Sequence, residues 1–373
     1  MTAASQARPP AEIPTLNGIR ALAVMLVFFA HGGLDRIVPG GLGVTIFFVL
    51  SGYLITTLLH REFALVGGIR LPAFYLRRLL RLMPPLLVVV ALAALLVRLG
   101  WVDGAFSSRG LWSVLLYVGN YQVIAENFAG LPAGIGVVWS LAVEEHYYLL
   151  YPPLALLMLR RQRPWAAVAW LAAACTAILA WRCWLTLHGV ADAYLMMATD
   201  TRADAILIGC LSAFASTAAQ SPRLRALLAA RHHRAIAIGC VLLLVASLLW
   251  RDPLFRLTGR YTLQALAIAP LIVLAVAHAG RPLLRWLDAP PLVWLGTVSY
   301  TVYLSHQLLL GMVGKLWPGL AMLPGLIVAA AFSLLLAEAM RRAVERPFAR
   351  LRRALHERGD DRSREPSAPA PQS

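Results

Sequence analysis

The stretch that decides the fold is GLGVTIFFVLSGYLITTLLH, residues 41–60. It contains no Asp, Glu, Lys or Arg, and its length matches the roughly 20 residues that an α-helix needs to cross a bilayer. Similar runs recur along the 373-residue chain, which is 60% hydrophobic and 14% charged, against about 45–50% and about 25% in soluble domains. This composition predicts a membrane protein and excludes a disordered chain, and four Cys are too few for a disulfide framework.

Ten segments are long and apolar enough to be predicted as transmembrane helices, so the predicted fold is all-α, a polytopic helical bundle. They are residues 15–33, 41–60, 84–100, 137–159, 165–188, 202–219, 235–250, 260–279, 292–313 and 320–340. Residues 111–125 are apolar but short, and we expect a re-entrant or interfacial piece there. The stretch 70–83 alternates arginine with aromatic and leucine residues, which predicts an amphipathic helix on the inner membrane surface.

The net charge of +16 comes from 34 Lys+Arg against 18 Asp+Glu, and Lys315 is the only lysine. With ten spans and the N-terminus inside, the internal inner loops hold fourteen Lys and Arg and the outer loops seven. An eleventh span at 111–125 would instead give nine inside and twelve outside. Because loops rich in Lys and Arg stay cytoplasmic, we expect ten spans and two cytoplasmic termini. The charge then reports orientation in the lipid bilayer, and no nucleic-acid partner is needed to explain it.

The chain divides accordingly into three predicted regions. Residues 1–14 form a cytoplasmic N-terminal segment, 15–345 the membrane domain, and 346–373 a basic and then disordered cytoplasmic tail. Ionisable residues within membrane spans usually face a cavity or a partner, and this chain has many of them. They are Arg20, His31, Glu144, Glu145, His146, Arg182, Arg202, Asp204, His306 and Glu338. We therefore expect several of them to line a functional cavity.

Arg20 and His31 share the first span and lie on nearly the same face, about 16 Å apart along the axis. Histidine is the side chain best suited to accept a proton from a hydroxyl near neutral pH, which makes His31 a candidate general base. The alternative is a histidine that merely ends a helix at the membrane interface. The arginine on the same face and the adjacent Gly32-Gly33 favour a functional role.

Small residues interrupt the second span at Ser51-Gly52. They permit close helix packing, and they equally leave room beside His31 for a thin substrate chain. Glu144 and Glu145 are consecutive, so a helix points them about 100° apart. They could neutralise an arginine, orient His31 or hydrogen-bond a polyol, and the sequence alone leaves these roles open.

Arg78 and Arg81 are one helical turn apart, with Arg77 adjacent. Guanidinium groups at this spacing suit a phosphate-bearing ligand, which they can bind through bidentate hydrogen bonds. The alternative is that they contact anionic lipid headgroups at the membrane surface.

Taken together and in order, these segments resemble the acyltransferase 3 family, the integral-membrane O-acyltransferases that modify bacterial polysaccharides, lipid-linked sugars and some macrolides. The resemblance rests on LNGIRALAVMLVFFAH (16–31), FFVLSGYLIT (47–56), RRLLR (77–81), VWSLAVEEHYYLLYP (138–152), TDTRADAILIGC (199–210), SYTVYLSHQ (299–307) and ERPF (345–348). Arg20 and His31 match the family's signature of an arginine, ten residues and a histidine. Two positions depart from it: His146 stands where a glutamine is expected, and Ser305 precedes His306 where an aromatic residue is common.

The resemblance implies a membrane acyltransferase of the bacterial inner membrane that uses acetyl-CoA or another acyl-CoA and no metal. The acceptor would be a hydroxyl of a carbohydrate, a lipid-linked glycan or a macrolide. It implies His31 as the catalytic base. Our own hypothesis adds Arg20, which would position the donor or a carboxylate, and Glu144 and Glu145, which would orient groups or balance charge. Arg77, Arg78 and Arg81 would bind the CoA phosphates. The candidate substrate-binding residues are Ser51, Tyr53, Trp139, Ser140, Arg202, Asp204 and His306.

Larger members of the family append an extracytoplasmic hydrolase-like domain, which we do not expect here. The competing hypothesis is a transporter or flippase, which would also have about ten spans and polar residues at mid-membrane. No internal symmetry between two halves supports it. A purely structural or partner-binding membrane protein is disfavoured by the number of intramembrane charges. The acceptor, the acyl length, the oligomeric state and the glutamate that faces the site stay open.

Overall fold

The structure is a computed structural model that describes residues 13–218 and 230–352. The regular elements within these two ranges are helices, and no strand occurs in them, which confirms the all-α prediction. The α-helices are α1 (Pro14–Phe29), α2 (Gly40–Val66), α3 (Leu71–Arg98), α4 (Ser108–Leu115), α5 (Gly119–Glu126), α6 (Val138–Arg160), α7 (Pro164–Leu187), α8 (Asp192–Met197), α9 (Thr199–Ala218), α10 (Ala230–Leu249), α11 (Pro253–Leu257), α12 (Gly259–Ala277), α13 (Pro290–Leu316) and α14 (Met322–Met340). Short 3-10 turns (Ile135–Val137, Pro282–Asp288) and π-helical turns (Ala30–Leu34, Arg341–Glu345) join or extend them.

Ten helices in the described ranges have 16 residues or more, and they coincide with the ten predicted spans. Seven of these are long and apolar enough to cross a membrane, which confirms a multi-pass membrane protein. They are α1, α2, α3, α7, α10, α12 and α14. The other three, α6, α9 and α13, carry many of the polar residues described below. The total of ten spans therefore stays a prediction.

The basic stretch 70–83 does not form a separate surface helix. It is the first half of α3, which runs unbroken from Leu71 to Arg98 and contains Pro84 and Pro85. Proline removes a backbone donor, but helices within membranes tolerate it where neighbouring helices satisfy the freed groups. The sequence boundary reflected a change in charge pattern after Arg81, and the backbone does not follow that change.

The ambiguous segment 111–125 lies in two helices of eight residues each, α4 and α5. Neither helix is long enough to cross a bilayer. Asn120 and Gln122 are buried, and the Asn120 amide donates to the Met197 carbonyl (3.2 Å) and to Thr199 Oγ1 (3.1 Å). The segment thus packs against the ends of α8 and α9, as a non-spanning piece should.

Helices α2 and α9 cross at two glycines, and this contact fixes the position of α2. A Cβ at Gly52 would lie 1.9 Å from the Ile206 carbonyl oxygen, and one at Gly209 would lie 2.1 Å from the Val49 carbonyl oxygen. Backbone approaches backbone here, which only glycine allows. The close-packing interpretation of Ser51-Gly52 is therefore correct for Gly52.

A buried ion pair links α7, α9 and α12. The Arg182 guanidinium lies 3.0 Å from Asp204 Oδ2, and both side chains are fully buried. Arg182 also donates to Thr262 Oγ1 (2.6 Å), to the Thr258 carbonyl (3.0 Å) and to the Thr201 carbonyl. Because each charge is paired and hydrogen-bonded, this network fits the general requirement for buried charges.

Parts of the predicted terminal regions lie outside the described residues. Residues 1–12 and 353–373 fall there, and so do Arg223 and Arg225 of a predicted inner loop. The described part of the tail, residues 346–352, is helical.

Candidate functional site

Four arginine side chains converge on one cavity of about 310 Å³, which we call the arginine cavity. Arg20 comes from α1, Arg61 from α2, and Arg78 and Arg81 from α3. Arg61 and Arg81 are exposed, whereas Arg20 and Arg78 are half-buried. The other polar lining residues are Asn17, Ser51, Tyr53, Thr57, Ser140, Glu144, Tyr148, Ser299, Tyr300 and Tyr303. The cavity is thus strongly basic at its open end and lined with hydroxyl groups further in.

Glu144 is the carboxylate that faces the arginine cavity. Helix α6 presents it between Ser140 and Tyr148, which lie one turn away on either side of the same face. The Tyr148 hydroxyl donates to Glu144 Oε2 at 3.3 Å and is itself hydrogen-bonded to Ser51 Oγ. The Arg78 guanidinium lies 4.5 Å from the centre of the Tyr148 ring. The carboxylate and the aromatic ring therefore partly offset the positive charge of the cavity.

His31 and His306 meet where α1 ends against α13. His31 Nδ1 lies 2.9 Å from His306 Nε2, although 275 positions separate the two residues in the sequence. His31 sits in the π-helical turn Ala30–Leu34, in which Gly33 adopts a φ of 96°, a conformation that favours glycine. His31 is exposed, and His306 is completely buried.

The exposed side of His31 lines a second cavity of about 410 Å³, which we call the histidine pocket. Six residues line it, and three of them are glycines: His31, Gly32, Gly134, Gln307, Leu310 and Gly311. Gly134 has a φ of 90°, and a Cβ there would lie 2.4 Å from the Leu308 backbone nitrogen. The backbone therefore approaches α13 closely beside the pocket.

Tyr303 places the wall of the arginine cavity within one helical turn of the histidine pair. Tyr303 lines the arginine cavity, and His306 follows three residues later on α13, about 4.5 Å along the axis. The Tyr303 hydroxyl is 2.6 Å from Ser140 Oγ, and its ring centroid lies 5.9 Å from that of Phe47. These three side chains line the arginine cavity on the side of the helix turn that leads to His306.

Several predicted site residues lie outside both cavities. Arg77 forms an ion pair with Glu62 at 3.2 Å, so it does not join Arg78 and Arg81. Asp204 is held by Arg182 in the buried network. The Glu145 Oε1 atom is buried and has no hydrogen-bond partner among the residues that the structure describes.

Arg202 and Trp139 support the wall of the arginine cavity from behind. The Arg202 guanidinium lies 3.7 Å from the centre of the Tyr261 ring and 5.8 Å from those of Trp139 and Phe48. Phe48 is the member of this group that lines the cavity. The buried cation is thus surrounded by aromatic faces, which attract it electrostatically.

Sequence reasoning missed four features of the site: Arg61, Tyr148 and Tyr303 as lining residues of the arginine cavity, and the contact between the two histidines. Tyr148 carried a usable signal, since it follows Glu144 by four residues and must share its helix face. A weaker signal in the sequence indicated that the two histidines meet. Both lie toward the ends of odd-numbered predicted spans, which run in the same direction across the membrane.

Tyr117 is a further polar residue that the sequence did not single out. It lies outside the membrane-spanning segments, between α4 and α5, and has a φ of 57°. Its hydroxyl is buried without a hydrogen-bond partner in the described ranges. Burial raises the pKa of the Tyr117 hydroxyl well above its usual value, and the nearby Glu145 carboxylate raises it further. The hydroxyl therefore stays protonated and uncharged.

The structure thus combines helices long and apolar enough to cross a membrane with two cavities that polar side chains line in part. A family model described as an acyltransferase domain matches residues 13–340, so the chain belongs to the acyltransferase 3 family. No solved structure matches it.

Three curated relatives are O-acetyltransferases by name. The peptidoglycan O-acetyltransferase OatA of Listeria monocytogenes is 29% identical over 305 residues, covering 79% of this chain and 49% of the relative. The O-acetyltransferase OatA of Staphylococcus aureus is 28% identical over 308 residues, covering 80% and 50%. A putative O-acetyltransferase of Staphylococcus aureus is 28% identical over 360 residues, covering 90% and 57%. The chain thus spans about half the length of the curated relatives it matches.

Proposed function

We propose that the chain transfers an acetyl or short acyl group from acyl-CoA to a hydroxyl of a cell-envelope carbohydrate. The observation that carries this proposal is the nearness of the arginine cavity to the histidine pair. Tyr303 lines a basic cavity suited to a phosphorylated donor and lies one helical turn from His306, the partner of His31. We propose that the donor and the acceptor enter from opposite ends of α1 and α13 and meet beside this histidine pair.

The arginine cavity supports the donor assignment by charge and by size. Arg20, Arg61, Arg78 and Arg81 lie at or near its open end, where they can bind phosphate groups. Its volume of about 310 Å³ is at the small end of the roughly 300–1,000 Å³ found for ligand pockets. Such a volume suits a thin arm reaching inward while the bulk of the donor stays outside.

Some of the remaining predicted substrate residues line the arginine cavity, and the others stabilise its wall. Ser51, Tyr53 and Ser140 line the arginine cavity, so we assign them to the acyl-bearing arm. Trp139 and Arg202 hold Phe48 from behind, and Asp204 stabilises the helices that carry them. Arg77, paired with Glu62, stabilises the open end rather than binding phosphate directly.

The chemistry is a balanced displacement at the thioester carbonyl. His31 accepts the proton of the acceptor hydroxyl as the acceptor oxygen bonds to the carbonyl carbon. The carbon–sulfur bond then breaks, and His31 returns the proton to the departing thiolate. For the developing oxyanion we propose Ser140 and Tyr303 as hydrogen-bond donors, since both hydroxyls line the arginine cavity and lie 2.6 Å from each other.

The arginine distribution supports the orientation. If the loops richer in arginine are cytoplasmic, the arginine cavity opens to the cytoplasm, where acyl-CoA is found, and the histidine pocket opens outward. We therefore propose a bacterial inner-membrane location with both termini cytoplasmic. The names of the relatives make peptidoglycan the first acceptor to test.

The test uses the purified protein in lipid vesicles with acetyl-labelled acetyl-CoA and soluble peptidoglycan glycan fragments. The proposal predicts alkali-labile label on the glycan, formed only when CoA thioester is present. The transporter alternative predicts that a glycan or acyl compound crosses the vesicle membrane without covalent change. Absence of CoA-dependent label from peptidoglycan, other envelope polysaccharides and macrolides would overturn the proposal.

A further inference from the structure

His306 is completely buried, and both of its ring nitrogens have partners. Its Nδ1 lies 2.6 Å from the Tyr303 carbonyl oxygen, and its Nε2 lies 2.9 Å from His31 Nδ1. With neither nitrogen open to a cavity, the side chain has no atom with which to bind an acceptor. Its position must therefore matter through His31.

The hydrogen-bond partners determine where the protons sit. A carbonyl oxygen can only accept, so the contact with Tyr303 requires the proton of neutral His306 to be on Nδ1. His306 Nε2 then carries a lone pair and can only accept. The hydrogen bond between the rings consequently requires a proton on His31 Nδ1, which leaves the lone pair of neutral His31 on Nε2.

We infer that His306 is a positioning residue, which holds His31 in the tautomer whose Nε2 accepts the proton of the acceptor hydroxyl. The inference rests on the proposed function for its catalytic meaning, but the tautomer itself can be measured without any activity. Tyr303 belongs to the same hydrogen-bonded chain, because its backbone carbonyl orients His306. Its side chain lines the arginine cavity.

His31 has two hydrogen-bond partners in its surroundings, His306 Nε2 and the Val27 backbone. No carboxylate in the described residues forms an ion pair with either imidazole, so a second imidazole takes the orienting place that an aspartate holds in many catalytic triads. The ring of Phe28 lies 6.4 Å from that of His306, and the Tyr303 ring lies 5.6 Å from it. These aromatic neighbours fix His306 and leave His31 as the exposed member of the pair.

Protonation follows the same geometry. When His31 Nε2 accepts a proton, its Nδ1 proton still points to the His306 lone pair. His306 therefore stabilises the imidazolium without changing its own protonation. Among the titratable groups of α1 and α13 in the described ranges, His306 is the one that contacts His31.

The direct test is solid-state NMR of ring-labelled histidine in the full-length protein, reconstituted in lipid at pH 8. The chain has nine histidines, and the His31 signals are assigned by their absence from His31→Gln. The inference predicts a His31 ring protonated on Nδ1. A wild-type His31 ring protonated on Nε2 would overturn it, whether or not the protein transfers acyl groups.

Two variants provide the kinetic test. His306→Gln keeps a side-chain oxygen that can accept the hydrogen bond from His31, whereas His306→Leu has no hydrogen-bond acceptor. We expect His306→Leu to lower kcat by roughly 100-fold without changing the acceptor KM, because misplacing a general base costs about 10²–10⁴-fold. His306→Gln should restore at least a tenth of the wild-type kcat.

Two results would contradict the inference. A higher acceptor KM at unchanged kcat in His306→Leu would mean that His306 contacts the acceptor. Equal kcat in the Gln and Leu variants, with both as heat-stable as wild type, would mean that the hydrogen bond accepted by His306 Nε2 does not affect catalysis. If neither variant folds, the NMR measurement of the wild-type His31 tautomer still tests the inference.

Discussion

Substituting Gly52 by alanine tests the contact that fixes α2 beside the arginine cavity. The new Cβ would lie 1.9 Å from the Ile206 carbonyl oxygen and 3.0 Å from the Cys210 backbone nitrogen. Since carbon atoms prefer contacts of about 3.5 Å, α2 and α9 would have to separate by roughly 1.5 Å. Overpacking of this kind costs about 1–3 kcal/mol. The adjacent Ser51 would move with α2 and weaken its hydrogen bond to Tyr148.

The assay is thermal denaturation of the detergent-solubilised protein, followed by fluorescence-detected size-exclusion chromatography. We expect Gly52→Ala to lower the apparent Tm by roughly 3–10 °C and to reduce acyl transfer as well. Gly41→Ala is the matched control, because it lies in the same helix and its Cβ would meet no atom within 4 Å. A Gly52→Ala protein as stable and active as Gly41→Ala would refute the close approach of α2 and α9.

Two further predictions separate neighbouring residues of like charge. Arg78→Gln should raise the KM for acyl-CoA about 10- to 100-fold, since a charged hydrogen bond contributes about 1.5–3 kcal/mol. Arg77→Gln should have a much smaller effect because Arg77 pairs with Glu62; steady-state kinetics in donor concentration compare the two, and equal effects would contradict the placement. Glu144→Gln should reduce kcat/KM at least tenfold, because Glu144 lines the arginine cavity, whereas Glu145→Gln should retain most activity. Initial rates of label transfer measure both, and the reverse order would contradict the assignment.

The helices were predictable because their lengths and apolar composition are local properties. Each of the ten predicted segments corresponds to one long helix, including three with polar residues. The end of the predicted surface helix before Pro84 was wrong, since the change in charge pattern there does not interrupt the backbone of α3. Local composition shows where charge changes, and it does not show whether a helix continues through that point.

The site was predictable in kind but not in its contacts. Arg20 and Glu144 could be selected because ionisable groups in spans require partners, and Arg78 and Arg81 because guanidinium groups one helical turn apart suit a phosphate. Their convergence with Arg61 depends on how α1, α2, α3 and α6 pack, which the sequence does not encode locally.

The same limit applies to residues that the structure separates or joins. Arg77 was indistinguishable from Arg78 in the sequence, yet one pairs with Glu62 and the other faces the cavity. The pairing of His31 with His306 joins residues 275 positions apart. Only the crossing of α1 and α13 reveals it.

The most direct test of the account is the rate of acyl transfer in His31→Gln. His188→Gln serves as the control, because His188 is also an exposed histidine but belongs to neither cavity. With acetyl-CoA binding measured separately, we predict unchanged donor affinity and a transfer rate lowered roughly 100-fold or more in His31→Gln, with His188→Gln near wild type. Transfer by His31→Gln at the rate of His188→Gln would contradict the claim that His31 is the base.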